Sequence, residues 1–136
     1  MGKIVIDVPD GRHTFPYLSP AVRAGDFIWV SGNAALLPRS GDSDVVELAK
    51  GGIEAETQQT IENIKATLEA AGATLLDVVK VNTFLRDVDL HFAAYNRVYE
   101  SYFADNPPAR TTVEAKILGN ILIEMECLAY RPVQGG

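Results

Sequence analysis

The sequence predicts a single α+β domain in which two helices cover one face of a largely antiparallel sheet. The 136 residues fit one domain of ordinary size, so residues 1–136 are treated as one unit. Short stretches with the two-residue period of strands occur near both ends and in the middle of the chain. Two longer stretches have the 3.6-residue period of amphipathic helices. The resulting order is strand, hairpin, helix, strand, helix, hairpin, which lets both helices pack on the same side.

The first predicted elements are a strand and a hairpin. Residues 3–8, KIVIDV, are short and β-branched, as in a strand. In AVRAGDFIWVSG, Gly25 and Asp26 separate two apolar runs, which is the placement of a tight turn. The run at 27–30 is nearly all apolar and is typical of a strand covered on both faces. Residues 33–52 then form a connection longer than a passive loop usually is, which indicates either a binding role or disorder.

A helix is predicted over residues 53–71, with Gly72 placed to end it in a left-handed conformation. Its stripe consists of Ile53, Thr57, Ile61, Ile64, Leu68 and Ala71. Three polar side chains are expected to lie mostly away from that stripe, namely Glu56, Gln59 and Lys65. The helix is therefore expected to bury one face against the sheet.

The second half of the chain continues with a strand, a helix and a hairpin. In DVVKVNTFLRD, one face of a strand is expected to consist of Val79, Val81, Thr83 and Leu85. A helix over 90–103 follows an Asp-Val-Asp sequence that can cap it. Its tyrosines recur at helical spacing and are expected to fill the core, not to stack on bases. Strands over 111–117 and 121–131, separated by Leu-Gly-Asn, are predicted to form the final hairpin.

The last strand predicts two different environments. One face, formed by Ile121, Ile123, Met125, Cys127 and Ala129, is the expected core face. The other consists of Leu122, Glu124, Glu126, Leu128 and Tyr130. This second face is too apolar for solvent, and both helices are committed to the opposite side. We therefore expect another subunit to cover it, with at least one glutamate in or near the interface. Cys127 is expected to be inert packing, not a nucleophile.

Composition argues against several classes of function. The formal net charge is −6, and no cluster of Lys and Arg provides a footprint for nucleic acid. No apolar run is long enough to span a membrane, and the N-terminus lacks a secretory signal, so the cytoplasm is the expected location. A single cysteine allows no internal disulfide and no multi-cysteine metal site. His13 and His91 lack the spacing of metal ligands, so no metal is expected.

Four positions are candidate binding residues. Arg110 follows Pro-Pro-Ala and begins a strand, a fixed position that suits a planar fork for a carboxylate. The residues alone nevertheless favour a solvated arginine at a strand end. Tyr17 lies in a proline-fixed loop, and Ser31 and Gly32 end a buried strand where a ligand can approach the backbone. Taken alone, each of these three is better explained as an ordinary turn residue.

Several motifs together resemble the reactive intermediate deaminase family, RidA/YjgF, also called L-PSP endoribonuclease. They are the Pro-Tyr loop, GDFIWVSGN, QTIENIKATLEAAGATLLDVVKVNTFLRD, FAAYNRVYESYF, PPARTTVEA and IEMECLA, and they cover essentially the whole chain. The pattern PAR-x-x-VE with a downstream IE-x-E is the most specific of them.

The resemblance implies a chorismate-mutase-like fold of the bacillus type and a homotrimer with ligand clefts between subunits. Arg110 is similar in position to the arginine that pairs with the substrate carboxylate, and Glu124 to the acid that positions or activates water. Tyr17 resembles the tyrosine that lines the cleft, and Ser31 and Gly32 resemble the strand end that forms its floor. The implied reaction hydrolyses a carboxylate-bearing enamine or imine, such as 2-aminoacrylate or 2-iminopropanoate, to a 2-keto acid and ammonia, without metal or cofactor.

Departures from the family pattern leave other functions open. Asn33, Thr112 and Gly119 stand where the family often has glutamine, cysteine and proline, and the 33–52 connection is longer. One alternative is a deaminase for a different catabolic enamine. Another is a trimer that binds a small ligand or acts like a chaperone without catalysis. Ribonuclease activity ranks last, because the chain has no acid–base pair of His–His or His–Lys type in motif spacing.

Overall fold

The structure is a computed structural model, and it describes residues 2–8, 15–39, 41 and 45–134. The loop at 9–14 and His13 lie outside the described residues. The described chain forms the strands β1 (Ile4–Ile6), β2 (Ala21–Ala24), β3 (Phe27–Asn33), β4 (Val78–Leu85), β5 (Ala109–Glu114) and β6 (Ile123–Tyr130), and the helices α1 (Gly52–Ala70) and α2 (Val88–Phe103). Two helices pack on a six-stranded, mostly antiparallel sheet, so the predicted α+β class is confirmed. Neither described helix is long and apolar enough to cross a membrane.

The predicted final hairpin is wrong. The sheet order is β1-β2-β3-β6-β4-β5, so β6 lies between β3 and β4 and does not pair with β5. Strand β5 instead pairs with β4 in parallel, from Lys80 opposite Ala109 to Leu85 opposite Glu114. A parallel pair needs a crossover, and α2 supplies it between β4 and β5. Alternation along single strands contains no information on which strand becomes the neighbour.

The first hairpin forms as predicted. Ala24 pairs with Phe27, and Gly25 between them has a φ of +58°, which a glycine adopts without strain. Within β3, Ile28 and Val30 are buried, whereas Phe27 and Trp29 are 38% and 46% exposed. Strand β3 is therefore covered on one face only in a single chain.

Helix α1 ends as predicted but buries more than the predicted stripe. Gly72 has a φ of +81° just beyond the last turn. The stripe residues from Thr57 to Leu68 are buried, but so is Glu56, which is only 6% exposed. The prediction that Glu56 points away is therefore wrong, and its burial is compensated by a hydrogen bond that its carboxylate accepts from the backbone N–H of Leu122 at 3.1 Å. That contact joins α1 to the segment before β6.

A bulge changes the predicted face of β4. Val81, Thr83 and Leu85 are buried as expected, but Val79 is exposed and Val78 is buried in its place. The pairing with β6 shifts between Val78 and Lys80, so one extra residue breaks the alternation at the start of the strand.

The predicted cap of α2 is also wrong. Asp87 precedes the helix with a left-handed φ of +48°, and its side chain makes no capping hydrogen bond. The Glu114 carboxylate, at the end of β5, accepts from the Val88 N–H at 3.0 Å and takes over that role. Tyr95 and Tyr99 are buried, which confirms that these aromatic residues fill the core.

Alternation along β6 is confirmed. Ile123, Met125, Cys127 and Ala129 all lie in the core. Burial, assisted by the nearby Glu126, raises the pKa of the Cys127 thiol to about 12, so the thiol stays neutral near pH 7. Cys127 is therefore a packing residue, as expected.

Candidate functional site

Glu124 lies against the backbone of β3 on the face of the sheet opposite the helices. A Cβ atom built on Gly32 would be 2.6 Å from Glu124 Oε2, so only a glycine leaves room for the carboxylate at this distance. The pairing of β3 with β6 shifts between Val30 and Asn33, which places Gly32 in an irregular part of the ladder. The structure thus brings together two of the predicted site residues, Gly32 and Glu124.

The surroundings of Glu124 favour its protonated form. Partial burial, and secondarily the negative charge of Glu126, raise the pKa of the Glu124 carboxyl above its ordinary value. Glu126 accepts a hydrogen bond from the Asn82 amide at 3.1 Å, so its own orientation is fixed. A carboxyl group with a raised pKa is suited to accept and return protons near neutral pH.

An open pocket of about 560 Å³ lies beside Glu124. Its polar and charged walls are Glu124, Glu126 and Lys116, and its apolar walls include Phe84, Ile117 and Leu118. The pocket therefore combines titratable groups with apolar surface, which is the usual composition of a small-molecule site.

Arg110 lies on the other face of the sheet, against α2. Its guanidinium carbon is 4.6 Å from the ring centre of Tyr99, 5.4 Å from that of Tyr95 and 5.8 Å from that of Phe92. Nη1 donates a hydrogen bond to Asn96 Oδ1 at 2.7 Å. The guanidinium is thus restrained by cation–π contacts and one short hydrogen bond.

Tyr99, one of the aromatic residues beneath Arg110, remains neutral near pH 7. Burial is the main factor that raises the pKa of Tyr99 to about 12. The Tyr95 hydroxyl donates to Thr83 Oγ1 at 2.8 Å and lies 3.2 Å from Thr112 Oγ1. Thr112, where the family often has cysteine, therefore belongs to the support of this arginine.

The sequence pattern did not identify Asn96 and the three rings that hold Arg110 as parts of a site. The available signal was helical spacing, because positions 92, 95, 96 and 99 recur every three or four residues and share one side of α2. That signal identifies the side of the helix but not the strand it covers. The parallel register of β5 with β4, which the sequence did not predict, places Arg110 there.

One sheet separates Arg110 from Glu124 within a chain. Arg110 is opposite Val81, and Glu124 is opposite Phe84, and these two positions of β4 point to opposite faces because they differ by an odd number. A site that uses both groups therefore draws them from two chains.

Neither Ser31 nor Tyr17 lines the pocket that contains Glu124. Ser31 lines a smaller cavity of about 100 Å³, together with Gly32, Leu36 and Asn63, and its hydroxyl donates to the Ser19 carbonyl. Tyr17 is 78% exposed, stacks on Phe15 with ring centres 5.7 Å apart, and lines neither of these two pockets.

The long connection after β3 folds back on itself in its described parts. Leu36 and Leu48 form an isolated antiparallel bridge, flanked by backbone hydrogen bonds from Leu37 to Glu47 and from Ala49 to Ala35. The Asn63 amide of α1 donates to the carbonyls of Ala34 and Leu36. The described ends of the connection are thus fixed to α1. No group of three or more His, Cys, Asp or Glu side chains in the described part of the chain is placed to hold a metal ion.

Comparison with known proteins agrees with this architecture. The sequence profile of the family Endoribonuclease L-PSP matches residues 12–131. A RutC family protein of Pyrococcus abyssi is 46% identical over 117 residues, which is 85% of this chain and 87% of the relative. The chain belongs to the RidA/YjgF family.

Two further relatives connect this family to the fold and to an activity. The crystal structure of the YjgF gene product from E. coli superimposes with a TM-score of 0.82 at 30% identity, covering 94% of this chain and 98% of that one. A protein of Dermatophagoides farinae named 2-iminobutanoate/2-iminopropanoate deaminase is 35% identical over 127 residues, or 93% of this chain and 94% of the relative. The RidA/YjgF family thus includes deaminases.

Replacing Gly32 by alanine should displace the Glu124 carboxylate without unfolding the protein. The added methyl group meets the end of a flexible side chain, so Glu124 is expected to rotate toward the open pocket and lose part of its burial. Its pKa should then fall toward the ordinary value. Titration of the Glu124 carboxyl carbon by NMR measures this change, and the free energy of unfolding should fall by no more than about 1 kcal/mol.

Ser31→Ala is the matched control, because position 31 also lies in β3 but its hydroxyl donates to the Ser19 carbonyl, whereas a side chain at position 32 meets Glu124. Its Glu124 titration should match that of the unsubstituted protein. An unchanged Glu124 pKa in Gly32→Ala would show that the close approach does not determine the environment of this carboxyl group.

Proposed function

We propose that this chain is a homotrimeric deaminase that hydrolyses small 2-imino acids, or their enamine tautomers, to 2-keto acids and ammonia. The observation that carries the proposal is the fixed guanidinium of Arg110, which is restrained before any ligand arrives. The named deaminase among the relatives supports the same reaction class.

Arg110 is suited to bind the substrate carboxylate. Asn96 occupies a donor on Nη1, and the remaining N–H groups of the planar guanidinium can pair with both oxygens of a carboxylate. Because the three rings already restrict the side chain, less conformational entropy is lost on binding. The paired substrate is thereby held in one orientation for attack by water.

Glu124 is suited to transfer the protons of the reaction. Water adds to the carbon of the protonated imine while the Glu124 carboxylate accepts one proton from that water, which forms a carbinolamine. The Glu124 carboxyl then returns the proton to nitrogen, the carbon–nitrogen bond breaks, and the hydroxyl proton passes to the departing ammonia, so the products are a 2-keto acid and ammonium. An enamine enters the same sequence after protonation at carbon. The raised pKa of Glu124 brings its proton affinity closer to that needed near pH 7.

The proposed trimer is supported by the uncovered face of the sheet. Phe27, Trp29 and Tyr130 form adjoining aromatic contacts there and are each more than a third exposed in one chain. Such a patch usually marks an interface. A neighbouring copy that placed its own Arg110 beside this face would also account for a site that uses both groups, because Arg110 and Glu124 would then lie in a cleft between two chains.

A deaminase for a larger enamine is the second candidate. The pocket beside Glu124 has a volume of about 560 Å³ and apolar walls at Phe84 and Leu118, which is more space than a methyl side chain requires. A panel of imines with increasing side chains, generated from the corresponding amino acids, separates this candidate from the first by the side chain that gives the highest kcat/KM.

Two other functions rank below these. A trimer that only binds ligands has no need for a carboxyl group with a raised pKa in its pocket, although binding itself uses the same Arg110. Ribonuclease activity is disfavoured by the formal net charge of −6, because RNA affinity depends on counterion release at Lys and Arg.

Arg110→Ala and Glu124→Gln should each lower the kcat/KM for freshly generated 2-iminopropanoate by at least about a hundredfold. Release of 2-keto acid and ammonia measures the rate.

If each cleft takes Arg110 from one chain and Glu124 from its neighbour, refolding the two inactive variants together should restore about a quarter of the sites. Unchanged turnover by Arg110→Ala would contradict the role of Arg110 as the residue that binds the substrate carboxylate, and inactive mixtures would contradict the division of the site between chains.

The pH dependence of kcat/KM should move when Glu126 is replaced by glutamine. The Glu124 carboxylate is the active base, so the rate falls as the pH falls through its pKa. Glu126 contributes to raising that pKa, so Glu126→Gln should shift the acid limb to lower pH. Because both pH profiles are measured with the same substrate, protonation of the imine affects them equally and does not contribute to the difference between them. Glu69→Gln is the control: Glu69 is exposed on α1, so the acid limb of the kcat/KM profile should stay at the same pH.

Trp29→Glu should convert the trimer to monomers, because it introduces a charge into the aromatic patch on the uncovered face. Sedimentation equilibrium should give the mass of three 14.8-kDa chains for the unsubstituted protein and of one for the variant. The matched control is Leu90→Glu, which places the same charge at an exposed position of α2. A trimer that persists in Trp29→Glu would show that this face is not the interface.

A further inference from the structure

Arg86 makes a concentrated set of contacts that neither the proposed chemistry nor the family comparison uses. It follows β4 directly, and its guanidinium points to the residues between β5 and β6. Nε donates to the Ile121 carbonyl at 3.0 Å, and Nη2 donates to the carbonyls of Gly119, at 3.0 Å, and Ile117. One side chain thus satisfies three carbonyls of a single irregular segment, residues 117–122.

Two further contacts hold the same segment. The backbone N–H of Arg86 donates to the Leu122 carbonyl at 2.9 Å, and the Leu122 N–H donates to the buried Glu56 carboxylate of α1. Within the segment, the Ile121 N–H donates to the Leu118 carbonyl, which closes a turn. Gly119 adopts a φ of +56° in that turn. The segment is therefore fixed by β4 on one side and by α1 on the other.

This segment is also a wall of the pocket that contains Glu124. Ile117, Leu118 and Gly119 line the pocket together with Phe84, and Leu122 leads into β6 two residues before Glu124. Leu118 is 82% exposed, so its own side chain has little packing to hold it in place. The shape of this wall consequently depends on the backbone contacts to Arg86 and Glu56.

We propose that Arg86 is a positioning residue that orders residues 117–122 and thereby sets the fit of the substrate in the Glu124 pocket. The effect on the substrate depends on the function proposed above, whereas the ordering of the segment does not. A guanidinium is required because its planar fork reaches several carbonyls at once, and a lysine ammonium at the same position lacks that geometry.

The test compares Arg86→Met and Arg86→Lys with the control Arg97→Met. Arg97 is an exposed arginine of α2 whose ion pair with Glu54 lies at the surface, so its removal tests the loss of an arginine elsewhere. Hydrogen exchange of the Ile121 and Leu122 amides, read by NMR, reports the order of the segment, with the Val81 amide of β4 as internal reference. Steady-state kinetics on 2-iminobutanoate then separate KM from kcat.

In Arg86→Met, the Ile121 and Leu122 amides should exchange at least about tenfold faster, while the Val81 amide and the Arg97→Met protein are unchanged. KM should rise about tenfold with kcat within about twofold of the unsubstituted value, because binding is disturbed more than the proton transfer at Glu124. Arg86→Lys should give a smaller effect of the same kind, and it provides the comparison if Arg86→Met does not fold.

Unchanged exchange at Ile121 and Leu122 in a folded Arg86 variant would overturn the ordering role. Faster exchange with an unchanged KM would overturn the effect on substrate fit and leave Arg86 a purely structural residue. If the unsubstituted protein turns over no imine, the proposed function fails and the statement on substrate fit fails with it. The exchange rates alone then decide whether Arg86 orders the segment.

Discussion

The position of β6 in the middle of the sheet is the constraint on which the rest of the structure depends. Its residues alternate between the core, at Met125 and Cys127, and the uncovered face, at Glu124 and Glu126. Because β6 pairs with both β3 and β4, it brings Gly32 and Phe84 to either side of the Glu124 side chain. A shift of one residue in this register would bury the two glutamates in the core and expose the apolar residues, which is energetically prohibitive.

The two candidate charges are held by different physical means. Arg110 is fixed by its contacts with the three rings, where a cation–π contact contributes about 0.5–2 kcal/mol depending on its exposure. Glu124 is placed by the missing side chain of Gly32 and is tuned by partial burial and a like charge. The first arrangement suits binding in a fixed orientation, and the second suits the exchange of protons. The proposed hydrolysis needs both, since an imine is already electrophilic and requires mainly orientation and a base for water.

Two polar residues at the edge of the core connect α1 and β4 to the proposed site. Glu56 of α1 and Arg86 at the end of β4 both contact the segment that leads into β6. Burial raises the pKa of Glu56, while the Leu122 N–H, His91 and Arg86 oppose that rise. A buried carboxylate without such partners would be strongly destabilising, so the hydrogen bond from the Leu122 N–H stabilises Glu56 and holds the backbone at Leu122 at the same time.

Local pattern was enough to predict the α+β class, the first hairpin, the end of α1 at Gly72, the core face of β6 and the apolar character of its other face, because each depends on periodicity along the chain or on the φ of a glycine. The sequence motifs also determined the family. Other features depend on partners that are distant in the chain, so local pattern did not predict them. They are the neighbours of β5 and β6, the bulge at Val78, the Glu114 cap of α2 and the burial of Glu56. The same is true of the candidate site. The motifs indicated Arg110 and Glu124, but only the strand order and register show that a sheet lies between them in one chain. The face to which a strand residue points depends on register, and local pattern does not encode register.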